Sequence, residues 1–220
     1  MKIRHAIFDL DGTLIDSNGI WFNAVSEYID KYCDYTDTMI PEIFWNEIIF
    51  GGTYKSLEYL KNTMGEKRKS EKIMEIIMAI AEREYGKERQ KKKGALEFLK
   101  RLKESGADIC VATATNTPLA ERALGLSGLL PYIDFIISGE ERPSGKEKPY
   151  IFLEAAARMN CEPCECVLFE DALYSLKVGK SLGMTLVGVD DFFCTEKTRC
   201  EIRSLCDLYI TDYSDIVIDV

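Results

Sequence analysis

The sequence predicts an α/β fold, a doubly wound parallel sheet with an all-helical segment inserted after its first strand. Three observations carry this. Ile3, Ala6, Ile7 and Phe8 form an apolar run of strand length that stops at Asp9-Leu10-Asp11-Gly12-Thr13. From about residue 17 to about residue 90 no strand pattern follows, only apolar residues recurring at spacings of three and four. From Gly94 onward helical and strand patterns alternate, which is the sequence form of a parallel sheet covered by helices on both faces.

The helical segment opens after Asp16 and Ser17, where Trp21, Val25, Tyr28, Ile29 and Tyr32 share one stripe. Ile73, Ile76, Ile77 and Ile80 make a second. Pro41 to Ile49 and Tyr54 to Met64 read as shorter helices separated by the break Gly51-Gly52. Arg89, Lys91, Lys92 and Lys93 before Gly94 read as a solvated return linker. Beyond it, Ala95, Phe98, Leu99 and Leu102 give a helix ending at Gly106, and Ile109 to Ala112 a strand running into Thr113-Ala114-Thr115-Asn116. Thr117-Pro118 reads as a helix start with Thr117 as its cap. Phe135 to Ile137 is the next strand, followed by a polar loop to Lys148. Pro149 starts a helix with Phe152, Ala155, Ala156 and Met159 on one face. Cys166 to Phe169 is a strand ending in Glu170-Asp171, a helix runs to Leu182-Gly183, Thr185 to Val189 is a further strand, and Leu208 to Ile210 an edge strand.

The 220 residues allow one sizeable domain or a core with an insertion, and 46% hydrophobic residues suffice for a packed core. A formal charge of -9, from 28 basic and 37 acidic residues, argues against nucleic acid as a partner. Asp9, Asp11 and Asp16 interrupt any apolar signal core, and no apolar span is long enough for a bilayer. A cytoplasmic protein with no membrane partner is expected, and a monomer. Cys161, Cys164 and Cys166 cluster, but a fourth zinc ligand is missing and the only histidine, His5, lies in the first strand; free thiols are expected.

In an open parallel sheet ligands bind beyond the carboxyl ends of the strands, and the polar residues collect there. Alternation along a strand lets Asp9 and Asp11 point the same way, while Gly12 permits a tight turn behind them. Carboxylates that close repel unless a cation intervenes, and a hard ion such as Mg²⁺ suits oxygen ligands. The second strand adds Thr113, the loop before a helix adds Lys148, with Lys146 as rival, and the fourth strand adds Glu170 and Asp171. Taken singly, Thr113, Lys148 and Glu170-Asp171 read more readily as a loop, a surface and a cap residue. Together with Asp9 and Asp11 they supply the nucleophile, second carboxylate, hydroxyl, cation and metal-binding acid that phosphoryl transfer needs.

With these residues in view, the chain resembles the haloacid dehalogenase superfamily over essentially its whole length, specifically the magnesium-dependent phosphatase and β-phosphoglucomutase-like branch. Asp9-Leu10-Asp11-Gly12-Thr13 matches the DxDGT signature, Thr113 the second motif, Lys148-Pro149 the third and Glu170-Asp171 the fourth. The resemblance implies a Rossmann-like core over 1–16 and 94–220 and a helical cap over 17–93. It implies Asp9 as nucleophile and Asp11 as general acid and then base. Thr113, Ala114 and Lys148 would hold phosphoryl oxygens. Asp9, the Asp11 carbonyl and Asp171 would hold Mg²⁺, with Glu170 at or just outside that shell. Lys148 is preferred over Lys146 because the Lys-Pro pair opens the next helix. The chain departs from the family in the fourth motif, where Ala172 replaces the usual serine and Ser175 stands where a glycine is expected. From the cap, Trp21 and the stretch Gly52, Thr53 and Lys55 are expected to face the substrate.

The implied activity is Mg²⁺-dependent hydrolysis of a small phosphorylated metabolite through an aspartyl phosphate. A β-phosphoglucomutase-like sugar phosphomutase is the alternative, disfavoured because Trp21 takes the place of a histidine in the first cap helix. A non-catalytic phosphorylation switch also combines acids, a hydroxyl and a lysine on a parallel sheet. Its acidic pair is adjacent, however, whereas here Leu10 separates the acids.

Overall fold

The computed structural model describes residues 2–33, 53–85, 87, 90–139 and 145–217, with side chains of 53–56 excepted. Six parallel strands form one sheet in the order β3-β2-β1-β4-β5-β6. They are β1 (His5–Phe8), β2 (Asp108–Thr113), β3 (Phe135–Ser138), β4 (Cys166–Glu170), β5 (Thr185–Val189) and β6 (Leu208–Ile210). Among the described residues eight α-helices accompany them: α1 (Asn18–Tyr32), α2 (Thr53–Thr63), α3 (Ser70–Tyr85), α4 (Ala95–Glu104), α5 (Thr117–Leu126), α6 (Tyr150–Arg158), α7 (Leu173–Ser181) and α8 (Glu196–Leu205). No described helix is long and apolar enough to cross a membrane. The expected helix over Pro41 to Ile49, and Gly51-Gly52, lie outside the described residues.

Strand alternation divides the core in two. Ala6, Phe8, Ile109, Val111, Val167, Phe169 and Val187 pack on one face with α4, α5 and the helices inserted after β1. Ile7, Cys110, Ala112, Leu168 and Leu186 pack on the other with α6, α7 and α8. Phe8 stacks on Phe169 of the neighbouring strand at 4.3 Å, and Phe98 meets both rings. Burying one such side chain is worth about 1.5–3 kcal/mol, so these three fasten α4 to the middle of the sheet. Cys110 and Cys166 are buried within strands, and Cys161, Cys164 and Cys166 carry free thiols. His5 pairs its Nδ1 with Asp108 at 2.9 Å, at the end of the sheet opposite the acids.

Register places β1 between β2 and β4, with Phe8 beside Val111 and Phe169. The chain runs outward in both directions from this pair, so the gap beyond β1 and β4 is the topological switch point. The helices inserted after β1 leave and return through paired backbone: Asp16 N donates to Gln90 O, Lys92 N donates to Leu14 O, and Ile15 bridges Lys91. Lys92 Nζ reinforces the junction by contacting Asp16 and the buried Asp191, each at 2.9 Å. One helix start differs from expectation. Asn116, not Thr117, caps α5, because its side-chain oxygen accepts from Leu119 N at 3.0 Å, and Thr117 is the first helical residue.

Candidate active site

Three acids and one lysine meet at the switch point. Asp9 follows β1, and Glu170 and Asp171 end β4; all three are buried. Lys146 Nζ lies 2.6 Å from Asp9 Oδ1 and 2.6 Å from Glu170 Oε2, and the lysine is only 3% exposed. Lys148 is exposed, which corrects the expectation that it supplies the site's cation. The physical reason is local. Pro149 caps α6 and restricts the residue before it, which fixes where the helix begins but not which lysine reaches inward. Gly145 has φ 51° and lies against Gly139, a residue whose N donates to Thr113 O; this approach delivers the next residue, Lys146, to the strand ends.

Glu170 holds this lysine rather than offering open oxygens. Its Oε1 accepts from the N–H groups of Asp171 and Ala172, and its Oε2 accepts from Lys146 and, at 2.6 Å, from Ser175 Oγ. Ser175, the departure from the family pattern, therefore fixes the lysine's partner. Asp171 is held by Thr13 Oγ1 at 3.0 Å and Asn18 Nδ2 at 2.9 Å. Gly12 makes that possible: with φ 77°, any Cβ there would fall 2.2 Å from both Asn18 Nδ2 and Asp171 Oδ2.

The electrostatics follow from burying three carboxylates with one lysine. Burial first, then Glu170, pushes Asp9 up to about 8 against the pull of Lys146. Burial, then Glu170, Asp191 and Asp9, pushes Asp171 up as well. Burial works against the Lys146 charge, but Asp9 and Glu170 outweigh it and hold the ammonium protonated. Oxygens of Asp9, Glu170 and Asp171 lie within 4.8 Å of one another. Burial keeps Asp9 and Asp171 from ionising side by side without further positive charge, and their oxygens are the hard donors that a divalent cation would pair with. The cysteine cluster forms no such group among the described residues.

Asp11 has a different setting. It is half-buried and, among the described residues, accepts only from hydroxyls: Ser17 Oγ on Oδ1 at 2.5 Å, Tyr85 OH also on Oδ1, and Thr115 Oγ1 on Oδ2 at 2.7 Å. Sequence reading missed Ser17, Tyr85 and Thr115. Thr115 stood within the quoted second-motif stretch, whereas Tyr85 lies beyond the stripe of Ile73, Ile76, Ile77 and Ile80 and was not singled out. Thr113 is buried at the end of β2 and its Oγ1 accepts from Thr115 N at 3.1 Å, which leaves its hydroxyl hydrogen to donate. Ala114 is exposed in the turn that follows. Trp21 is half-buried, and its Nε1 donates to Tyr85 OH at 3.1 Å. Thr53 and Lys55 lie in the first turn of α2, with side chains outside those described, and Gly52 lies outside the described residues altogether.

A parallel α/β sheet bearing buried acids, a lysine and hydroxyls at its switch point belongs to the class of phosphate-handling α/β enzymes. The chain belongs to the haloacid dehalogenase-like hydrolase family, whose model matches residues 3–183. It is similar to hexitol phosphatase B of Escherichia coli, with 26% identity over 86% of this chain and 84% of that one. It is similar also to the phosphorylated carbohydrates phosphatase of Thermotoga maritima, with 29% identity over 81% of each. The fold matches that of a β-phosphoglucomutase from Clostridium difficile with a TM-score of 0.79, at 21% identity over 98% of this chain and 93% of that one.

Proposed function

We propose that the protein is a Mg²⁺-dependent phosphatase of small phosphomonoesters, of the sugar or polyol phosphate class, working through an aspartyl phosphate on Asp9. The observation that carries this is the state of Asp9. One oxygen is held by Lys146, among the described residues nothing hydrogen-bonds the other, and the carboxyl lies within 4.8 Å of oxygens of Glu170 and Asp171. The names of the phosphatase relatives support the substrate class.

In this reading Asp9 Oδ2 attacks phosphorus while the phosphorus–oxygen bond to the leaving group breaks, and Asp11 gives that oxygen its proton. Water then attacks the aspartyl phosphate, Asp11 takes its proton, and the bond from phosphorus to Asp9 breaks to release inorganic phosphate. Lys146 and Thr113 hold the phosphoryl oxygens, with the backbone at Ala114 beside them. Asp9, Asp171 and the Asp11 carbonyl would hold Mg²⁺, while Glu170, with both oxygens engaged, orients Lys146 from outside that shell. When bound, the metal supplies positive charge that offsets repulsion between phosphate and carboxylates. The helices between β1 and α4 act as a cap hinged where residues 14–16 pair with 90–92, and their closure limits water access to the site.

The test is phosphate release from a panel of sugar and polyol phosphates, with and without Mg²⁺, comparing wild type with Asp9→Asn. Loss of turnover by about 10³-fold or more in the variant is expected; equal turnover by the two proteins sinks the reading. Efficient conversion of β-glucose 1-phosphate, primed with the bisphosphate, to glucose 6-phosphate without free phosphate makes the protein a mutase instead. A phosphorylated Asp9 that persists for hours makes it a switch.

A further inference from the structure

Tyr85 is the last residue of α3, fully buried, and distant in sequence from every acid of the site. Its phenol meets three polar groups: it donates to Asp11 Oδ1, receives Trp21 Nε1–H at 3.1 Å, and lies 3.2 Å from Thr115 Oγ1. Hydrogen counting fixes the direction of this chain. An indole N–H donates and never accepts, so Tyr85 oxygen must be the acceptor from Trp21 and its own hydrogen must go elsewhere. The single hydrogen of Thr115 goes to Asp11 Oδ2 at 2.7 Å, and Asp11 offers only acceptor oxygens when ionised. The chain therefore runs one way, Trp21 to Tyr85 to Asp11. The ring planes of Trp21 and Tyr85 meet edge to face at 5.8 Å, which fixes the phenol laterally as well.

We propose that Tyr85, backed by Trp21, is a positioning residue that sets the orientation of the Asp11 carboxylate for proton transfer to the leaving group. The proposal rests on the phosphatase reading and assigns Trp21 a role other than touching substrate. Among the described residues Ser17 and Tyr85 share Oδ1 while Thr115 alone holds Oδ2, so these hydroxyls fix the carboxylate plane and leave Oδ2 the less occupied oxygen. Tyr85 and the Trp21 that backs it come from opposite ends of the inserted helices, from the first turn of α1 and the last of α3. Movement of that segment relative to the sheet thus changes the aim of Asp11 directly.

The test uses leaving-group basicity. Proton donation matters most when the departing oxygen is basic, and kcat/KM covers only steps through the first phosphoryl transfer. Full-length wild type, Tyr85→Phe and Trp21→Phe are assayed in Mg²⁺ with p-nitrophenyl phosphate, whose leaving group departs readily, and with phenyl phosphate, whose leaving group is far more basic. The expected result is a loss of kcat/KM on phenyl phosphate about tenfold larger than on p-nitrophenyl phosphate for Tyr85→Phe, with a smaller split of the same sign for Trp21→Phe. A purely structural role lowers both substrates together, so equal losses, or none on either, overturn the proposal. Asp9→Asn, assayed alongside, separates the two levels. Retained activity there overturns the phosphatase reading itself, whereas an inactive Asp9→Asn with an unsplit Tyr85→Phe overturns only the role of Tyr85.

Discussion

Asp9 and Asp11 stand two residues apart and live in opposite kinds of surroundings. Asp9 belongs to a floor of buried charges, with Lys146, Glu170 and Asp171 all delivered by strand ends or the loop packed on them. Asp11 faces a wall of neutral hydroxyls from the linker, from α3 and from the turn after β2. The floor depends on its one cation, because Lys146 offsets acids that otherwise repel one another, and removing it leaves buried carboxylates unpaired. The wall is adjustable, because each hydroxyl contributes one hydrogen bond and can be lost singly.

The largest expected effect that tests this contrast is on the floor. Lys146→Met leaves two buried carboxylates without their cation and should cost about 3–5 kcal/mol in urea unfolding, together with most of the activity. Lys148→Met, at an exposed position, should stay within about 0.5 kcal/mol of wild type. If the two lysines exchange these outcomes, the floor is wrongly drawn. Next, chelator-treated protein should melt higher on addition of Mg²⁺, by about 2.7 kcal/mol of stability at a hundredfold excess over Kd. Asp171→Asn should lose that gain while Tyr85→Phe keeps it, and a gain surviving in Asp171→Asn breaks the assignment of the metal to the floor. On the wall, Tyr85→Phe should cost about 1–2 kcal/mol, since Asp11 keeps two other donors; a cost as large as that of Lys146→Met would erase the distinction.

The smallest effect belongs to neither region. Lys93 and Ser214 hold the Asp212 carboxyl down to about 2, below its ordinary 3.8. A folded value below the unfolded one adds stability above about pH 4 that is lost as the pH falls through about 2. Thermal midpoints of wild type and Asp212→Asn should therefore differ slightly at neutral pH and converge in acid. A difference that persists undiminished well below pH 2 would show that the residue acts by shape rather than charge.

The same contrast governs what was legible in the sequence. All six strands were read from short apolar runs, because a strand buried on both faces has no other composition available to it. Asp9, Asp11, Glu170 and Asp171 were legible together rather than singly: each stands at the carboxyl end of such a run, where a parallel sheet gathers its polar residues, though Glu170-Asp171 by itself reads as a cap. Lys146 was not, since two lysines separated by one residue differ only in loop path, and the path depends on the close approach of Gly145 to Gly139. Tyr85 and Thr115 reach Asp11 across separations of 74 and 104 residues. A tyrosine in line with Ile73, Ile77 and Ile80 carries no mark of where its hydroxyl points. The helix start at Asn116 was misread because Thr117-Pro118 is itself a good opening pair, and only the bond to Leu119 N decides between them.

The pairing of Ile15 with Lys91 also bears on how the chain finds this structure. Strand β1 must pair with β2 across about a hundred residues, His5 opposite Asp108. A chain that first folds its inserted helices already holds residues 15 and 91 together. The loop then left to close is about a quarter as long, a saving of about 1.2 kcal/mol in closure entropy at about 0.6 kcal/mol per halving. The inserted helices must themselves meet across about fifty residues, Asn18–Tyr32 against Ser70–Tyr85, so the shorter closure is available to the strands only once that packing has formed.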